Sequence, residues 1–151
     1  IFGINQSKKN VKLAFFLGFS GAIPFVFFSI IIFCDLKFYL DPVSLLRRYS
    51  EIILSFLGAV HWGLILTQNN KNANRLVWSI TPSLIAFFST FFSNIFGFFV
   101  LMTGFFLSFI IDRKYFCIAD YEWYLILRLR LTIIVSFSLL LTLEKLISIN
   151  S

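Results

Sequence analysis

The sequence is poor in charged residues and in the side chains that build active sites. Only 13% of its 151 residues are charged, and it has seven acidic residues, one histidine and two cysteines. Cys34 and Cys117 are too few for a disulfide scaffold or for a four-ligand zinc site, so we expect both to be unpaired. No stretch resembles a phosphate-binding glycine loop, a serine nucleophile elbow or a pair of catalytic carboxylates. These absences argue against an enzyme.

Apolar residues dominate the chain. Hydrophobic side chains make up 59% of it, and 22 of them are phenylalanines. A soluble domain of this size exposes a large share of its surface and could not shield so many rings from water. The net charge of +6 could suggest nucleic acid, but the basic residues punctuate apolar runs instead of forming one patch. We therefore expect a membrane protein in contact with lipids, with no nucleic-acid partner.

The spacing of the uncharged runs predicts an all-α polytopic membrane protein, a bundle of five transmembrane helices. One crossing needs about 20 apolar residues, so the uncharged stretch 76–111 must hold two helices, with a turn at Ser93-Asn94. Asp41 and Pro42 have the character of an N-cap and a first-turn proline. The last apolar run is short, so its helix must include flanking polar residues. A basic N-terminal segment at 1–12 precedes the transmembrane domain at 13–149. The predicted helices of this domain are 13–34, 43–68, 75–92, 95–111 and 123–147, with a polar loop at 68–72.

The distribution of basic residues predicts the orientation of such a bundle. With five crossings, nine Lys and Arg residues lie on the N-terminal side and four on the other side. The positive-inside rule then places the N-terminus in the cytoplasm or the mitochondrial matrix, and puts Cys34 and Cys117 on opposite sides. We expect an energy-transducing inner membrane, either mitochondrial or bacterial. Four basic side chains are expected to reach the lipid headgroups: Arg113, Lys114, Arg128 and Arg130.

His61 is the sharpest functional candidate, because an ionisable group inside a bilayer is costly. It could relay protons or ligate a metal or haem, but the helices offer too few further ligands, so a partner would have to supply them. The favoured interpretation is a neutral imidazole hydrogen-bonded across the bundle. Pro24 and Pro82 each free a carbonyl four residues earlier, at Ser20 and Trp78, and we expect His61 or Trp62 to donate to one of these.

Small residues recur at every fourth position in the first two helices. Ala14, Gly18 and Ala22 share one face of the first helix, and Ser55, Ala59 and Gly63 share one face of the second, beside Gly58. Such faces permit close backbone approach, so we expect these two faces to meet. The predicted intramembrane packing site therefore comprises His61, Trp62, Pro24, Pro82, Trp78, Ser55, Gly58 and Gly63.

Several motifs together resemble a known family. They are the segment from Leu54 to Leu64 around His61-Trp62-Gly63, the segment from Arg75 to Leu84, Asp112-Arg113, and the segment from Tyr124 to Thr132. The chain is similar over most of its length to an uncharacterised family of bacterial inner-membrane proteins whose mitochondrial relatives include transmembrane protein 69-like proteins. The resemblance implies a five-helix membrane domain and brings no established activity.

The leading functional hypothesis is a non-catalytic inner-membrane protein, an accessory subunit or assembly factor of a respiratory-chain complex. Its expected partners are membrane lipids and other membrane-protein subunits. No cofactor of its own is predicted. Two alternatives stay open: a small oligomeric transporter or proton-conducting protein that uses His61, and a membrane anchor that shares a haem or quinone with a partner.

Overall fold

The chain is built from five helices. The computed structural model describes residues 2–67, 73–115 and 122–150, with the side chains of 10–63, 76–114 and 122–149. The described residues form no strand, which confirms the all-α class. The predicted loop at 68–72 and the segment that contains Cys117 lie outside the described residues. The helices are α1 (Phe2–Phe33), α2 (Pro42–Thr67), α3 (Ala73–Ser89), α4 (Asn94–Tyr115) and α5 (Glu122–Asn150).

Three helices are long and apolar enough to cross a bilayer. Among the described residues these spans are Asn10–Phe33, Asn94–Lys114 and Glu122–Ile149, and the apolar part of α3, Leu76–Ser89, is shorter than a single crossing requires. Length and composition therefore support membrane insertion of α1, α4 and α5. A crossing by α2 and α3 stays a prediction.

Polar contacts at the two ends of the bundle show that successive helices run in opposite directions. At one end, His61 near the end of α2 and Arg128 near the start of α5 both bind Asp112 near the end of α4. At the other end, Arg47 near the start of α2 binds Asn94 at the start of α4, and Lys145 near the end of α5 pairs with Asp35 just after α1. The helices thus form an up-and-down bundle.

Local capping explains the connection between α1 and α2. Asp35 has a positive φ of 50°, and the amide of Leu36 donates to the carbonyl of Ile31 at 3.0 Å, the bonding pattern of a Schellman C-cap. Asp41 accepts the amide of Val43 at 3.1 Å, which confirms the predicted N-cap of α2. Both helix ends therefore satisfy backbone groups that would otherwise be unpaired.

The basic segment at the N-terminus is helical where the structure describes it. Helix α1 begins at Phe2 instead of residue 13, because no proline or glycine-rich turn separates the basic segment from the apolar run. Between α3 and α4 the turn occupies residues 90–93, next to the expected Ser93-Asn94. The charge pattern marks where a helix can leave the hydrocarbon, whereas helix-breaking residues set where it ends.

A cluster of buried apolar side chains forms the core of the bundle. Phe25 of α1, Leu54 of α2, Phe98 of α4 and Leu139 of α5 are all nearly inaccessible. Many large apolar side chains lie on the outer surface of the bundle, including Phe16, which is 70% exposed. A water-soluble protein rarely presents such continuous apolar surface, whereas a lipid-facing one does.

Helices α2 and α3 approach each other closely at one glycine. A Cβ atom at Gly58 would collide with the backbone carbonyl oxygen of Ser79, and it would lie 3.4 Å from Cδ of Pro82. Pro82 is itself among the fully buried side chains. The absence of a side chain at Gly58 therefore sets the spacing of this helix pair.

A buried ionic triad and an adjoining groove form the candidate functional site

A carboxylate at the end of α4 joins three helices. Oδ1 of Asp112 lies 2.6 Å from Nε2 of His61 on α2, and Oδ2 lies 2.5 Å from Nε of Arg128 on α5. The side chains of the three residues are 2 to 7% exposed. We call His61, Asp112 and Arg128 the buried triad.

The charges of the side chains determine which atoms of the buried triad donate hydrogen bonds and which accept them. Arg128 keeps its proton in any protein environment, and a buried guanidinium favours an ionised carboxylate as its partner. A carboxylate can only accept hydrogen bonds, so Nε2 of His61 carries the hydrogen and donates it. With a neutral imidazole the triad then has no net charge, which is the least costly state for three polar groups surrounded by apolar helices.

The sequence analysis predicted the burial of one member of the triad, His61. His61 is buried at 2% exposure, but its Nε2 faces the Asp112 carboxylate and not a carbonyl freed by Pro24 or Pro82. The expectation that Arg128 reaches the headgroups is wrong, because a carboxylate inside the bundle offers its guanidinium a stronger partner than solvent does. Arg113, Lys114 and Arg130 are exposed, and their contact with headgroups stays a prediction.

The other predicted packing residues are distributed differently from the expectation. Trp62 is 42% exposed and lies on the outer surface, so it does not share the environment of His61. Trp78 keeps a buried indole nitrogen that has no hydrogen-bond partner among the described residues. Pro24 and Ser55 are partly buried. The packing site is therefore not one cluster, although Gly58 and Pro82 lie close together.

The expected pairing of small-residue faces is wrong. A Cβ at Gly18 would meet Leu127 and Leu131 of α5, so this part of α1 faces α5 instead of α2. A Cβ at Gly63 would meet nothing within 4 Å. The reason is that the close approach of α2 uses Gly58 toward α3, which turns Ala59 and Gly63 to the outside.

A second polar cluster lies at the opposite end of the bundle, where α3 turns into α4. Arg47 donates to the side chain of Asn94 at 2.9 Å, to the carbonyl of Phe92 at 2.9 Å and to the carbonyl of Ser89. Glu51 lies 3.4 Å from Nε of Arg47 and accepts the hydroxyl of Ser89 at 3.1 Å. We call this the hairpin cluster, since a cation there satisfies carbonyls at the C-terminal end of α3.

Beside the triad, an apolar groove of about 440 Å³ runs between α1, α2 and α5. Its walls include Gly18, Gly21 and Phe25 of α1 and Leu57 of α2, and Arg128 and Thr132 line it from α5. Nη2 of Arg128 and Oγ1 of Thr132 are buried and lack a hydrogen-bond partner among the described residues. An apolar site with a few convergent polar groups is the usual form of a ligand pocket.

Sequence reasoning missed Asp112, Thr132 and Arg47 as functional or structural positions. Asp112 directly follows the long uncharged stretch. Helix α4 continues past this stretch, so the carboxylate of Asp112 lies inside the bundle instead of in a loop. Asp112 and Arg128 both lie in the motifs that carry the family resemblance, which was the available signal. In the part of the chain that the structure describes, no group of three or more His, Cys, Asp or Glu residues could hold a metal ion.

Comparisons with known proteins agree with the resemblance seen in the motifs. The model of the family described as protein of unknown function (DUF3429) matches residues 10–144. Transmembrane protein 69 of Xenopus tropicalis is 30% identical over 96 residues, which are 62% of this chain and 38% of that protein. The chain thus covers less than half the length of that relative. No solved structure matches significantly. The chain belongs to the DUF3429 family, and it is a membrane protein related to transmembrane protein 69.

Proposed function

We propose that this chain is a non-catalytic protein of an energy-transducing inner membrane, acting as an accessory subunit or assembly factor of a respiratory-chain complex. It crosses the membrane five times, and its N-terminus lies on the matrix or cytoplasmic side. The observation that carries the proposal is the use of the buried triad: its carboxylate holds α2, α4 and α5 together from inside and leaves the outer faces of the bundle apolar.

The alternation of helices supports the five crossings. Each of the two polar clusters contains only helix ends that an up-and-down arrangement places on one side of a membrane. Helix α2 would enter the hydrocarbon after Glu51 and α3 would leave it near Ser89. The short apolar length of α3 then fits a helix whose C-terminal end is capped by Arg47 close to the headgroups.

Lateral association is supported by the outer surface. Phe87, Phe88 and Phe91 form a group of touching rings near the end of α3, with centroids 5.3 to 6.3 Å apart, and all three are at least 56% exposed. The segments that connect the described helices are short, so the helix faces form most of the surface of this part of the protein. A protein of this form acts through its helix faces.

Proton conduction through His61 is supported less well. A relay needs its imidazole to exchange protons with water, whereas His61 and Asp112 are each 2% exposed and are bound to each other. The triad would have to open before His61 could take part in transport. Packing accounts for the observed contacts without such a step.

Two measurements test the proposal. In a Cys117→Ser variant, we expect a membrane-impermeant maleimide to label the exposed Cys34 only from the side opposite the N-terminus. After mild detergent extraction, native electrophoresis is expected to show the chain in an assembly together with respiratory-chain subunits identified by mass spectrometry. Labelling of Cys34 from the N-terminal side would contradict the topology. Migration as a monomer alone would contradict the accessory role.

A further inference from the structure

We propose that the groove beside the buried triad binds the head of a membrane quinone, with the ring carbonyls directed at Arg128 and Thr132. The inference goes beyond the accessory role, because it concerns a ligand of the isolated chain and requires no partner subunit. It assigns binding only, with no electron transfer.

The first argument is the polar end of the groove. Arg128 and Thr132 line it, and Nη2 of Arg128 and Oγ1 of Thr132 are buried and have no hydrogen-bond partner among the described residues. Arg128 is 6% exposed and Thr132 is 7% exposed, so bulk water does not satisfy them. They are four residues apart on α5 and therefore lie on one face, one turn apart. A ligand with acceptor oxygens would restore hydrogen bonds that the protein leaves unmade.

The second argument is charge. Asp112 already neutralises Arg128 through Nε at 2.5 Å, so the arginine that lines the groove belongs to an ion pair with no net charge. An anionic headgroup would bring a second negative charge close to Asp112 in an apolar environment, which is unfavourable. An uncharged carbonyl oxygen accepts the same hydrogen bond without that cost. This argument favours a quinone over a fatty acid or an acidic phospholipid.

The third argument is the shape and depth of the groove. Aromatic rings of Phe25, Phe56, Phe105 and Tyr124 contribute to its walls, and the planes of Phe25 and Phe105 meet at 82°. Ring edges and faces suit contact with a flat aromatic-like head. Arg128 lies about two helical turns inside α5, whereas Val135 at the far end of the groove lies near the middle of that helix. A polar head near the membrane edge with an apolar tail toward the centre fits this direction.

The test uses a photoreactive azidoquinone with a short alkyl tail and the purified full chain in detergent. We expect crosslinks on peptides that line the groove, and competition by decylubiquinone. In Gly21→Leu the new side chain enters the groove, since a Cβ there has only the Tyr49 hydroxyl nearby, at 3.9 Å. We expect at least tenfold less labelling. Gly63→Leu is the matched control, because a Cβ there meets nothing within 4 Å, and its labelling is expected to stay at the wild-type level.

A second variant keeps the test decisive if Gly21→Leu fails to fold. Thr132→Val preserves shape and removes one donor, and we expect decylubiquinone to bind about threefold to tenfold more weakly, the loss of one hydrogen bond. Thr103→Val, at an exposed hydroxyl that bonds its own helix, is expected to bind normally. The proposal is overturned by crosslinks confined to the outer surface, by unchanged affinity in Thr132→Val, or by equal competition from a phospholipid without a quinone ring. Native electrophoresis does not enter this test, so the quinone site and the accessory role can fail separately.

Discussion

The two polar clusters of the bundle use an arginine in opposite ways. In the buried triad, Arg128 binds a carboxylate from another helix, and the partners are almost completely sealed from the outside. In the hairpin cluster, Arg47 binds mainly backbone carbonyls of one turn, and the side chains of Arg47 and Glu51 are 12% and 17% exposed. The first arrangement holds three helices in register, whereas the second closes one connection. The comparison indicates that the free-energy cost of removing one member of an ion pair depends on how deeply the remaining partner is buried.

Removal of the carboxylate from the triad is expected to have the largest effect. Asp112→Asn keeps the shape but leaves the guanidinium of Arg128 buried without a counter-charge. Breaking one half of a buried ion pair costs about 3–5 kcal/mol. Unfolding of the purified protein in mixed micelles, followed by circular dichroism, measures this loss. Adding Arg128→Met to Asp112→Asn should recover part of the stability, since the uncompensated charge is then gone. A double variant no more stable than the single one would show that the ion pair is not the reason.

Loss of the arginine at the other end is expected to have a smaller effect. Arg47→Met leaves the carbonyls of Ser89 and Phe92 without their side-chain donor, at a cost of about 1–3 kcal/mol. Since this end lies closer to the surface, water can replace part of the lost bonding. The neighbouring exposed Arg48→Met is the control, with an expected change within about 0.5 kcal/mol. A loss in Arg47→Met equal to that in Asp112→Asn would remove the distinction between the two clusters.

A methyl group placed against Arg47 is expected to have the smallest effect. In Gly97→Ala the new Cβ would lie 2.7 Å from Nη2 of Arg47, so the guanidinium must shift at the end of its flexible side chain. This strain is expected to cancel the gain of about 0.5–1 kcal/mol that alanine brings to a helix interior. Gly63→Ala has open space and should show that gain. The same unfolding assay compares the two, and an equal stabilisation of both would mean that Arg47 is not confined.

The sequence predicted the helical class and the burial of its lone histidine, but not the partner of that histidine. The uncharged runs and the Asp41-Pro42 cap depend only on residues that are close in sequence, so they predict helices without any knowledge of how the helices pack. The pairing of His61 with Asp112 depends on which faces of α2 and α4 meet, and residues 51 positions apart give no periodic signal of that.

The wrong prediction for Arg128 also comes from not knowing which helix faces meet. Its position near the start of an apolar helix is typical of a residue that reaches the headgroups, and Arg130 two residues later is indeed exposed. A rotation of about 200° between these two positions puts one inside the bundle and the other outside. Only the rotation of α5 about its own axis separates these roles, and composition does not determine that rotation. The small-residue faces failed for the same reason, since spacing identified smooth surfaces but not their partners.

The contact of Gly58 with the backbone of Ser79 restricts how this bundle can change shape. Where main chains approach this closely, no flexible side chain lies between them to absorb a sliding or tilting movement, so the contact resists displacement of α2 against α3. Around Gly18, helix α1 meets α5 through the long side chains of Leu127 and Leu131, whereas further along Ser29 donates to the carbonyl of Ser138 at 2.8 Å. The contact around Gly18 can therefore adjust by rotamer changes, whereas the contact at Gly58 cannot.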